Sequence, residues 1–403
     1  MRVALVLNDF RLSGGVNVVL QYASRLAHSQ RHEVTIIARH PEIFEWALPF
    51  LEEVTVTALE EEGTAFFDVA IATYWETVLL LGQVPASNYV WFCQLYEDRF
   101  FPDRNPNIAT MQVVGSIPLP VVTEASWIQA LIQRENPDRT VELVLNGIDK
   151  SIFFADQEIL RTAGSFSVLI EGPLEPESKG TVLALEGSLA SKGATHITHV
   201  GAERFKTNDK RYRHISAGIS FEDMATLYRT HHLLVKTPVA EGMFGPPLEA
   251  FHCGTPAIVT AVSGSEEYIQ SDKNSIVVGW SDPRGVAEAI DELASNRKKW
   301  ESLSRGALAT AAEWPDWDSQ AARFEVALAS AAAASKLSQA DLANLSRTIL
   351  FSDLMHWLAM RRLSDKSAGP GMVEEGLAIN NPPRSLGFRD TIRRFLRAGN
   401  SRS

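Results

Sequence analysis

Short apolar runs alternate along the chain with longer segments whose apolar residues recur at helical spacing. The first run, residues 3–7, is continuous, as expected for a buried parallel strand, and an amphipathic helical segment follows at residues 16–28. Further runs are found at 34–38, 54–56, 68–73, 89–93, 119–122, 141–145, 167–170, 195–200, 213–215, 231–235, 257–260 and 275–278. This alternation predicts an α/β protein whose parallel sheets are covered by helices on both faces.

The chain length predicts more than one domain, because 403 residues exceed what one ordinary hydrophobic core spans. An Asn146-Gly147 turn signal lies about one domain length from the first residue, and a second series of strands begins at residue 167. Beyond residue 318, alanine-rich and amphipathic segments predict further helices as far as residue 360. Residues 364–383 are rich in Ser, Gly, Pro and Asn, which is typical of a linker.

The overall composition restricts the classes of function. A formal net charge of -11 argues against general nucleic-acid binding. The two cysteines, Cys93 and Cys253, are far apart in sequence, so a disulfide framework is not expected and a reducing cytoplasm fits. The initial apolar run is too short for a signal peptide, and no stretch approaches the ~20 apolar residues needed to span a bilayer.

Glycines follow several of the predicted strands. They are Gly14 and Gly15 after the first strand, and Gly172, Gly201 and Gly218, the last with Ile219 beside it, in the second half of the chain. Ligands of open parallel sheets bind beyond the carboxyl ends of the strands. These loops are therefore expected to face one cleft between two domains.

Residues 235–267 carry the densest group of signals. They predict a strand, a loop, a short helix that starts with Pro246 and Pro247, a turn and a second strand. Unpaired amides at the start of a helix bind anions, so Met243, Phe244 and Gly245 are candidate anion-binding residues. Two carboxylates, Glu241 and Glu249, flank this helix start.

The spacing of these two glutamates resembles the E-x7-E arrangement of retaining nucleotide-sugar glycosyltransferases of family 4, the group 1 glycosyltransferases. Gly254-Thr-Pro256 and Gly264 with Glu267 also fall where that family has them. The resemblance implies the GT-B fold: two Rossmann-like domains with a cleft between them, and C-terminal helices that cross back to the first domain. It predicts an acceptor domain at 1–155, a donor domain at 156–318, returning helices at 319–362, and a linker with a tail at 363–403.

The same resemblance implies roles for individual residues. The donor is expected to be a UDP-, GDP- or dTDP-sugar, with Lys179 at its diphosphate, Glu249 at its ribose hydroxyls and Glu241 facing its sugar. The base is expected to lie against residues 217–219 and near Gly201, and Gly172 is expected to contact the donor. The amides of Gly14 and Gly15 are expected to face the cleft near the donor phosphate and the acceptor, and a simple turn into a helix is the alternative. The family is metal-independent, so neither a metal nor another cofactor is expected.

Two positions depart from the family pattern. Pro173 stands where the family usually has an arginine that contacts the diphosphate, so one charge-assisted contact is missing unless Arg11 or another basic group replaces it. The family also often has a histidine after the fourth or fifth strand. In that region this chain has Gln94 and Glu97, which become the acceptor-side candidates, and Glu97 joins Glu241 and Lys179 as a catalytic candidate.

Other possible sites carry weaker signals. Asp316-Trp317-Asp318 matches the D-x-D metal motif of other glycosyltransferases, but aspartates at a helix start more often cap the helix. His196, His199 and the adjacent His231 and His232 have no partners at zinc-ligand spacing, so core or surface positions are the better interpretation.

The C-terminal segment differs in charge from the rest of the chain. Residues 361–403 contain nine basic and four acidic residues and carry +5, so the remainder carries -16. Apolar and basic positions at 384–397 fit a basic amphipathic helix that lies on an anionic membrane. Docking onto the acidic body of the protein or an oligomer, and plain disorder, remain alternatives.

The leading hypothesis is a cytoplasmic glycosyltransferase, with membrane contact at the inner face through this tail. It would use a saccharide or lipid-linked acceptor in the synthesis of a surface polysaccharide or another glycoconjugate. One alternative is a catalytically weakened binding protein of the same fold, which Pro173 favours. Another is a nucleotide-sugar 2-epimerase, which shares the fold.

Overall fold

The computed structural model of the chain describes residues 1–11, 13–41, 48–60, 65–96, 108–156 and 165–367. In these residues the chain forms two separate parallel sheets, each covered by helices. We refer to the parts built around the two sheets as the first and second domains.

The first sheet has seven parallel strands, and buried apolar side chains cover both of its faces. Its strands are β1 (Arg2–Asp9), β2 (Glu33–His40), β3 (Thr55–Ala58), β4 (Phe67–Ala72), β5 (Ala86–Cys93), β6 (Val121–Thr123) and β7 (Val141–Leu143). They lie in the order β3-β2-β1-β4-β5-β6-β7. The helices are α1 (Gly14–His28), α2 (Trp75–Val78), α3 (Ile108–Ser116) and α4 (Ser126–Glu135). Ser13 begins α1, because its hydroxyl accepts a hydrogen bond from the amide of Val16.

The second sheet repeats this arrangement with six parallel strands. They are β8 (Ser167–Glu171), β9 (His196–Gly201), β10 (Tyr212–Ser216), β11 (Leu233–Lys236), β12 (Ala257–Thr260) and β13 (Ser275–Val278), in the order β10-β9-β8-β11-β12-β13. The helices are α5 (Thr181–Ala190), α6 (Phe221–Thr230), α7 (Gly245–His252), α8 (Pro283–Ser295) and α9 (Arg297–Glu313). In both sheets the strand order reverses after the first strand, as in Rossmann folds, so the switch points lie beside β1 and β8.

The chain returns to the first domain through α10 (Trp317–Ala334) and α11 (Gln339–Ser367). Phe324 on α10 is fully buried in the first-domain core, where its ring stacks on Tyr22 with centroids 4.3 Å apart. The indole of Trp314 donates a hydrogen bond to the carbonyl of Asn146, which joins the turn after β7 to the start of the return. The predicted two-domain fold with returning helices is confirmed.

Within the described residues, the predicted strands and helices occur with shifts of a few residues at their ends. The main difference is α11, which continues to Ser367 and so occupies the first positions of the predicted linker. The basic segment 384–397 lies outside the described residues, and the four predicted domain boundaries stay predictions. No helix in the part of the chain that the structure describes is both long and apolar enough to cross a bilayer.

Candidate functional site

The predicted donor-binding loops meet at the carboxyl edge of the second sheet. Gly172 follows β8, Gly201 ends β9, and Lys236 ends β11, the strand next to β8. Gly172 has φ +137°, a conformation that residues with a side chain rarely adopt, so glycine is required there. Close to it, the carbonyl of Gly201 accepts hydrogen bonds from the amide of Ala217 at 2.9 Å and from the ring of His214 at 3.0 Å.

Lys179 and Glu241, which lie 62 residues apart in sequence, are brought together in this region. The ammonium of Lys179 donates to both carboxylate oxygens of Glu241 at 3.1 Å. The side chains are 31% and 14% exposed, so both remain accessible to a ligand. Gly180 with φ +64° packs against the carbonyl of Thr237, which holds the Lys179 loop against the end of β11.

Lys236 is a functional candidate that the sequence analysis did not identify. It is 5% exposed, and its ammonium donates to the backbone carbonyl of Glu171 at 2.9 Å and to the carboxylate of the same residue at 2.6 Å. A Cβ placed on Gly172 would be 3.1 Å from this ammonium. The sequence feature that could have identified Lys236 is its position at the end of an otherwise apolar strand.

Glu249 lies on α7 and accepts a hydrogen bond from the hydroxyl of the buried Tyr228 at 3.2 Å. Burial, reinforced by the negative charge of Glu171, raises the pKa of Glu249 to about 7, against the opposing effects of the Tyr228 hydrogen bond and the charge of Lys236. Its carboxyl group is therefore divided between two protonation states near neutral pH. Gly218 (φ +89°) and the half-buried Ile219 lie in the loop from β10 to α6 on the same edge of the sheet.

The expectation of three free amides at the start of α7 holds only in part. The helix begins at Gly245 with Pro246 and Pro247 in its first turn, as predicted. The amide of Met243, however, donates to a carboxylate oxygen of Glu124 at 3.3 Å, and the carbonyl of Phe244 accepts from the hydroxyl of Tyr268. The sequence could not indicate the first of these bonds, because Glu124 comes from the other domain.

Glu124 belongs to a set of contacts that join the two domains. It follows β6, is 5% exposed, and also accepts from the side-chain amide of Asn146 at 2.9 Å. Burial raises the pKa of Glu124 to about 8, although the hydrogen bonds from Asn146 and Met243 oppose this shift. Beside it, the indole of Trp127 donates to the carbonyl of Gly242 at 2.9 Å.

The first domain contributes polar groups at the start of α1 and at the end of β5. Gly14 and Gly15 form the exposed first residues of α1, and a Cβ on Gly15 would lie 3.5 Å from the side-chain oxygen of Gln94. The backbone carbonyl of Gln94 lies so close to Gly242 that any Cβ there would overlap it. Gln94 is therefore at the cleft, next to the loop that carries Glu241, whereas Glu97 lies outside the described residues.

The weaker candidates have structural roles. Asp316 caps α10 by accepting from the amide of Ser319 at 2.8 Å, and Asp318 pairs with Arg25 at 2.7 Å. His199 is fully buried and its ring bonds to the carbonyl of Gly172 at 2.9 Å. In the described part of the chain, no group of three or more His, Cys, Asp and Glu side chains could hold a metal ion.

Part of the chain is similar in sequence to known glycosyltransferases. Residues 168–296 match the family model described as "Glycosyl transferases group 1". A curated D-inositol 3-phosphate glycosyltransferase from Salinispora tropica is 27% identical over 124 residues, which are 31% of this chain and 25% of that relative. The matched stretch thus spans about a quarter of the curated relative's length.

Solved structures resemble the chain over most of its length. Sucrose-phosphate synthase from Thermosynechococcus elongatus superposes with a TM-score of 0.69 at 15% identity, covering 83% of this chain and all of that one. HepE from Anabaena, solved with UDP-glucose, gives 0.64 at 13% identity over 82% of this chain and all of that one. WaaG, described as a glycosyltransferase involved in lipopolysaccharide biosynthesis, gives 0.62 at 16% identity over 80% and 98%.

These likenesses establish the fold, and the family model identifies the second domain. The match covers β8 to β13 and so includes Lys179, Lys236, Glu241 and Glu249. The chain therefore has the GT-B fold, and its residues 168–296 match the model of the group 1 glycosyltransferases.

Proposed function

We propose that this chain transfers a sugar from a UDP-, GDP- or dTDP-sugar to a saccharide or lipid-linked acceptor, with retention of anomeric configuration. The observation that carries the proposal is the contact between Lys179 and Glu241 at the carboxyl edge of the second sheet. This contact unites an ammonium suited to a diphosphate with a carboxylate suited to a sugar. The likeness to HepE, which was solved in complex with UDP-glucose, supports a nucleotide-sugar donor.

The charges of the site suit cleavage of a glycosyl diphosphate. Breaking the bond from the anomeric carbon leaves negative charge on the diphosphate and positive charge on the sugar. Fixed charges in a cleft that excludes water stabilise both. Lys179 acts on the diphosphate, Glu241 acts on the sugar, and Glu249 accepts hydrogen bonds from the ribose.

Pro173 stands where the family usually has an arginine, and Lys236 supplies the positive charge that is missing there. Its ammonium lies 3.1 Å from where a Cβ of Gly172 would be, one residue before Pro173. A buried cation is attracted to a phosphate more strongly than an exposed one, because less water screens the interaction. The loss of the arginine is therefore no reason to favour the catalytically weakened binding protein.

Transfer requires no separate base in this proposal. The acceptor hydroxyl oxygen bonds to the anomeric carbon on the face from which the diphosphate leaves. The electron pair of the broken bond stays on the phosphate oxygen, which takes the proton of the acceptor hydroxyl. The reaction is a hexosyl transfer without a metal, of the family 4 type. We place it in the assembly of a surface polysaccharide in the cytoplasm, with the basic tail at the membrane face.

A donor screen followed by kinetics tests this function. Thermal shifts are measured with nucleoside diphosphates and nucleotide sugars, since a ligand that binds the folded state raises the melting temperature. With the selected donor, Lys179→Ala and Glu241→Ala are expected to lower donor hydrolysis and transfer by about 10²-fold or more. Lys192→Ala, at an exposed lysine of the same domain, is the matched control and should retain the wild-type rate.

The alternatives give different results in the same assays. If the protein is folded but neither hydrolyses nor transfers sugar from any donor, the result favours a binding protein of this fold. An epimerised nucleotide sugar formed without acceptor identifies a 2-epimerase. Adding a chelator to the assay tests whether transfer needs a metal. If transfer is metal-independent, the transfer rate is unchanged.

A further inference from the structure

The loop that carries Glu241 is held from two sides. On one side lies its own domain, in which the hydroxyl of Ser263 donates to the carbonyl of Glu241 at 3.2 Å and a Cβ on Gly264 would overlap the carbonyl of Gly242. On the other side lies the first domain, where the backbone carbonyl of Gln94 leaves no room for a Cβ on Gly242. The backbone of this loop is therefore enclosed between the two domains.

A short segment of the first domain, directly after β6, forms hydrogen bonds with this loop. The indole of Trp127 donates to the carbonyl of Gly242 at 2.9 Å, and the amide of Met243 donates to the carboxylate of Glu124 at 3.3 Å. Two consecutive residues after Glu241 are thus bonded across the domain interface. Because hydrogen bonds are directional, these contacts restrict how the backbone beside Glu241 can turn.

Glu267 of the second domain holds the same segment in return. Its carboxylate accepts a hydrogen bond from the amide of Ser126 at 2.6 Å, at the first residue of α4. Ala125, the residue before this helix, offers no side-chain cap. A helix start has unpaired amides and a partial positive charge, so an acidic side chain stabilises it. Glu267 therefore caps a helix of the other domain, one residue before Trp127.

These contacts connect the domain interface to the site assigned to the donor. Glu267 bonds to the start of α4, and α4 carries the indole that bonds to Gly242. On the far side of the loop, the carboxylate of Glu241 accepts from the ammonium of Lys179. The side chain assigned to the donor sugar thus extends from a loop that a helix of the first domain holds in place.

We propose that Trp127 and Glu267 are positioning residues for sugar transfer, which hold the backbone of Gly242 across the domain interface so that Glu241 faces the donor sugar. The inference deepens the proposed function and rests on it. Small displacements of a group that acts on the reacting atoms reduce the rate strongly. Both residues act through the loop, so their contribution is to turnover and not to the capture of the nucleotide.

Donor kinetics with Trp127→Phe test the contact with Gly242, because phenylalanine keeps an aromatic ring and removes the indole donor. At saturating nucleotide sugar, the rate of donor hydrolysis is expected to decrease about 5- to 30-fold, the effect of losing one hydrogen bond. The probe for binding is whichever of UDP, GDP and dTDP gives the largest thermal shift. Its dissociation constant should change less than about twofold, because it lacks the sugar that Glu241 faces.

Two substitutions of Glu267 test the cap. Glu267→Ala removes it, so the hydrolysis rate should decrease by a factor similar to that of Trp127→Phe. Glu267→Gln keeps an oxygen that can accept from the amide of Ser126, so the rate should stay within about threefold of the wild type. Combining Trp127→Phe with Glu267→Ala should cost less than the product of the two single losses, since both act on one loop.

Trp300→Phe is the matched control for loss of an indole hydrogen bond. The indole of Trp300 also donates to a backbone carbonyl, that of His232 at 2.7 Å, but this bond lies at the end of β11 opposite to Lys236. Trp300 is buried in the core of the second domain. The variant should lower the melting temperature and leave the hydrolysis rate and the affinity for the nucleoside diphosphate unchanged.

Two results would overturn the proposal while the donor function stands. One is an unchanged hydrolysis rate in Trp127→Phe or in Glu267→Ala, which would mean that the second domain alone sets the loop. The other is a parallel decrease of rate, affinity and melting temperature in Trp127→Phe, which would mean a structural role.

The test separates these cases from failure of the proposed function. If Glu267→Ala does not fold, Trp127→Phe with its Trp300→Phe control decides the outcome. If the wild-type protein binds no nucleotide sugar, the proposed function itself fails and this inference fails with it, and the donor screen identifies that case.

Discussion

Lys236 donates to the carboxylate of Glu171 at 2.6 Å across the ends of two adjacent strands. Burial lowers the pKa of Lys236, but the negative charges of Glu171, Glu241 and Glu249 outweigh this effect and raise the pKa above its usual value. The ammonium is therefore charged and held in place before any ligand arrives. Such preorganisation reduces the free-energy cost of binding an anion.

Replacing Lys236 by methionine should weaken donor binding while preserving the volume of the side chain. We expect the dissociation constant of the nucleotide sugar to rise about 10- to 100-fold, since a charge-assisted contact with the diphosphate is lost. Thermal-shift titration measures it. The change also leaves Glu171 without its partner, so Lys236→Met is combined with Glu171→Gln to keep the fold.

A rescue experiment separates the diphosphate role of Lys236 from a purely structural one. Adding Pro173→Arg to the Lys236→Met and Glu171→Gln protein restores the cation at the position that the family normally uses. Donor affinity is expected to recover by about tenfold while the melting temperature stays unchanged. If affinity instead recovers only when the melting temperature recovers, Lys236 stabilises the fold and has no direct role at the phosphates.

The sequence predicted the fold well because its signals are local. Apolar runs such as residues 3–7 and 257–260 have the length and continuity of buried parallel strands, and each occurs as a strand in the structure. The pairing of Lys179 with Glu241 follows from loops at one edge of one sheet. Such features depend on chain direction and spacing, which a sequence displays.

The contacts that the sequence did not reveal join distant parts of the chain. Glu124 reaches the amide of Met243 from another domain, and Lys236 is, in its local sequence, only the polar end of an apolar strand. Neither spacing nor periodicity encodes where two domains touch. The role of Glu97 stays a prediction, because it lies outside the described residues.

Tyr228 should control the pH at which Glu249 ionises. Burial raises the pKa of Glu249 to about 7, and the hydrogen bond from the Tyr228 hydroxyl is one of the effects that oppose this increase. If the ionised carboxylate binds the ribose hydroxyls, donor affinity of the wild type should increase as the pH rises through about 7. Tyr228→Phe should move this midpoint to higher pH, because removing a donor to the carboxylate favours its protonated form.

The measurement uses a nucleotide sugar, whose diphosphate diester does not titrate near neutral pH. Binding is titrated between pH 5.5 and pH 9, and Glu249→Gln is the control that should flatten the profile. An identical midpoint in the wild type and Tyr228→Phe would contradict the assigned contact.

Glu124 should make the stability of the protein depend on pH. Its pKa is raised to about 8 in the folded state against an ordinary value of 4.5, so the folded state binds the proton more tightly. Its stabilising contribution is complete below about pH 4.5 and is lost as the pH rises toward 8, by up to about 1.4 kcal/mol per pH unit. Glu124→Gln should remove this dependence.

The glutamine variant can keep the local hydrogen bonds. The side-chain oxygen of the new amide still accepts a hydrogen bond from the backbone amide of Met243. Asn146 can turn its side-chain oxygen toward the new amide nitrogen, since no described residue donates to that Asn146 oxygen. Chemical denaturation of both proteins from pH 5 to pH 9 is the test. The wild type should lose stability relative to the variant over this range, and parallel curves would show that Glu124 is ionised throughout.

Gly180 should tolerate no side chain, because two independent constraints act on it. Its φ of +64° is unfavourable for alanine, and a Cβ would overlap the carbonyl oxygen of Thr237. Gly180→Ala is therefore expected to lower the free energy of unfolding by about 2–4 kcal/mol. Relief of the overlap also moves the adjacent Lys179 away from Glu241, so donor hydrolysis should decrease together with stability.

Gly14→Ala, at the first residue of α1, is the matched control for stability alone, because Gly14 is itself a candidate residue of the donor site. A Cβ there meets no atom within 4 Å, and its φ lies outside the positive range, so stability should change by no more than about 0.5 kcal/mol. Thermal melts give stability, and donor hydrolysis gives the state of the Lys179 loop. Equal melting temperatures for Gly180→Ala and the wild type would show that this loop can leave the end of β11, in which case the contact between Lys179 and Glu241 is only one of several arrangements.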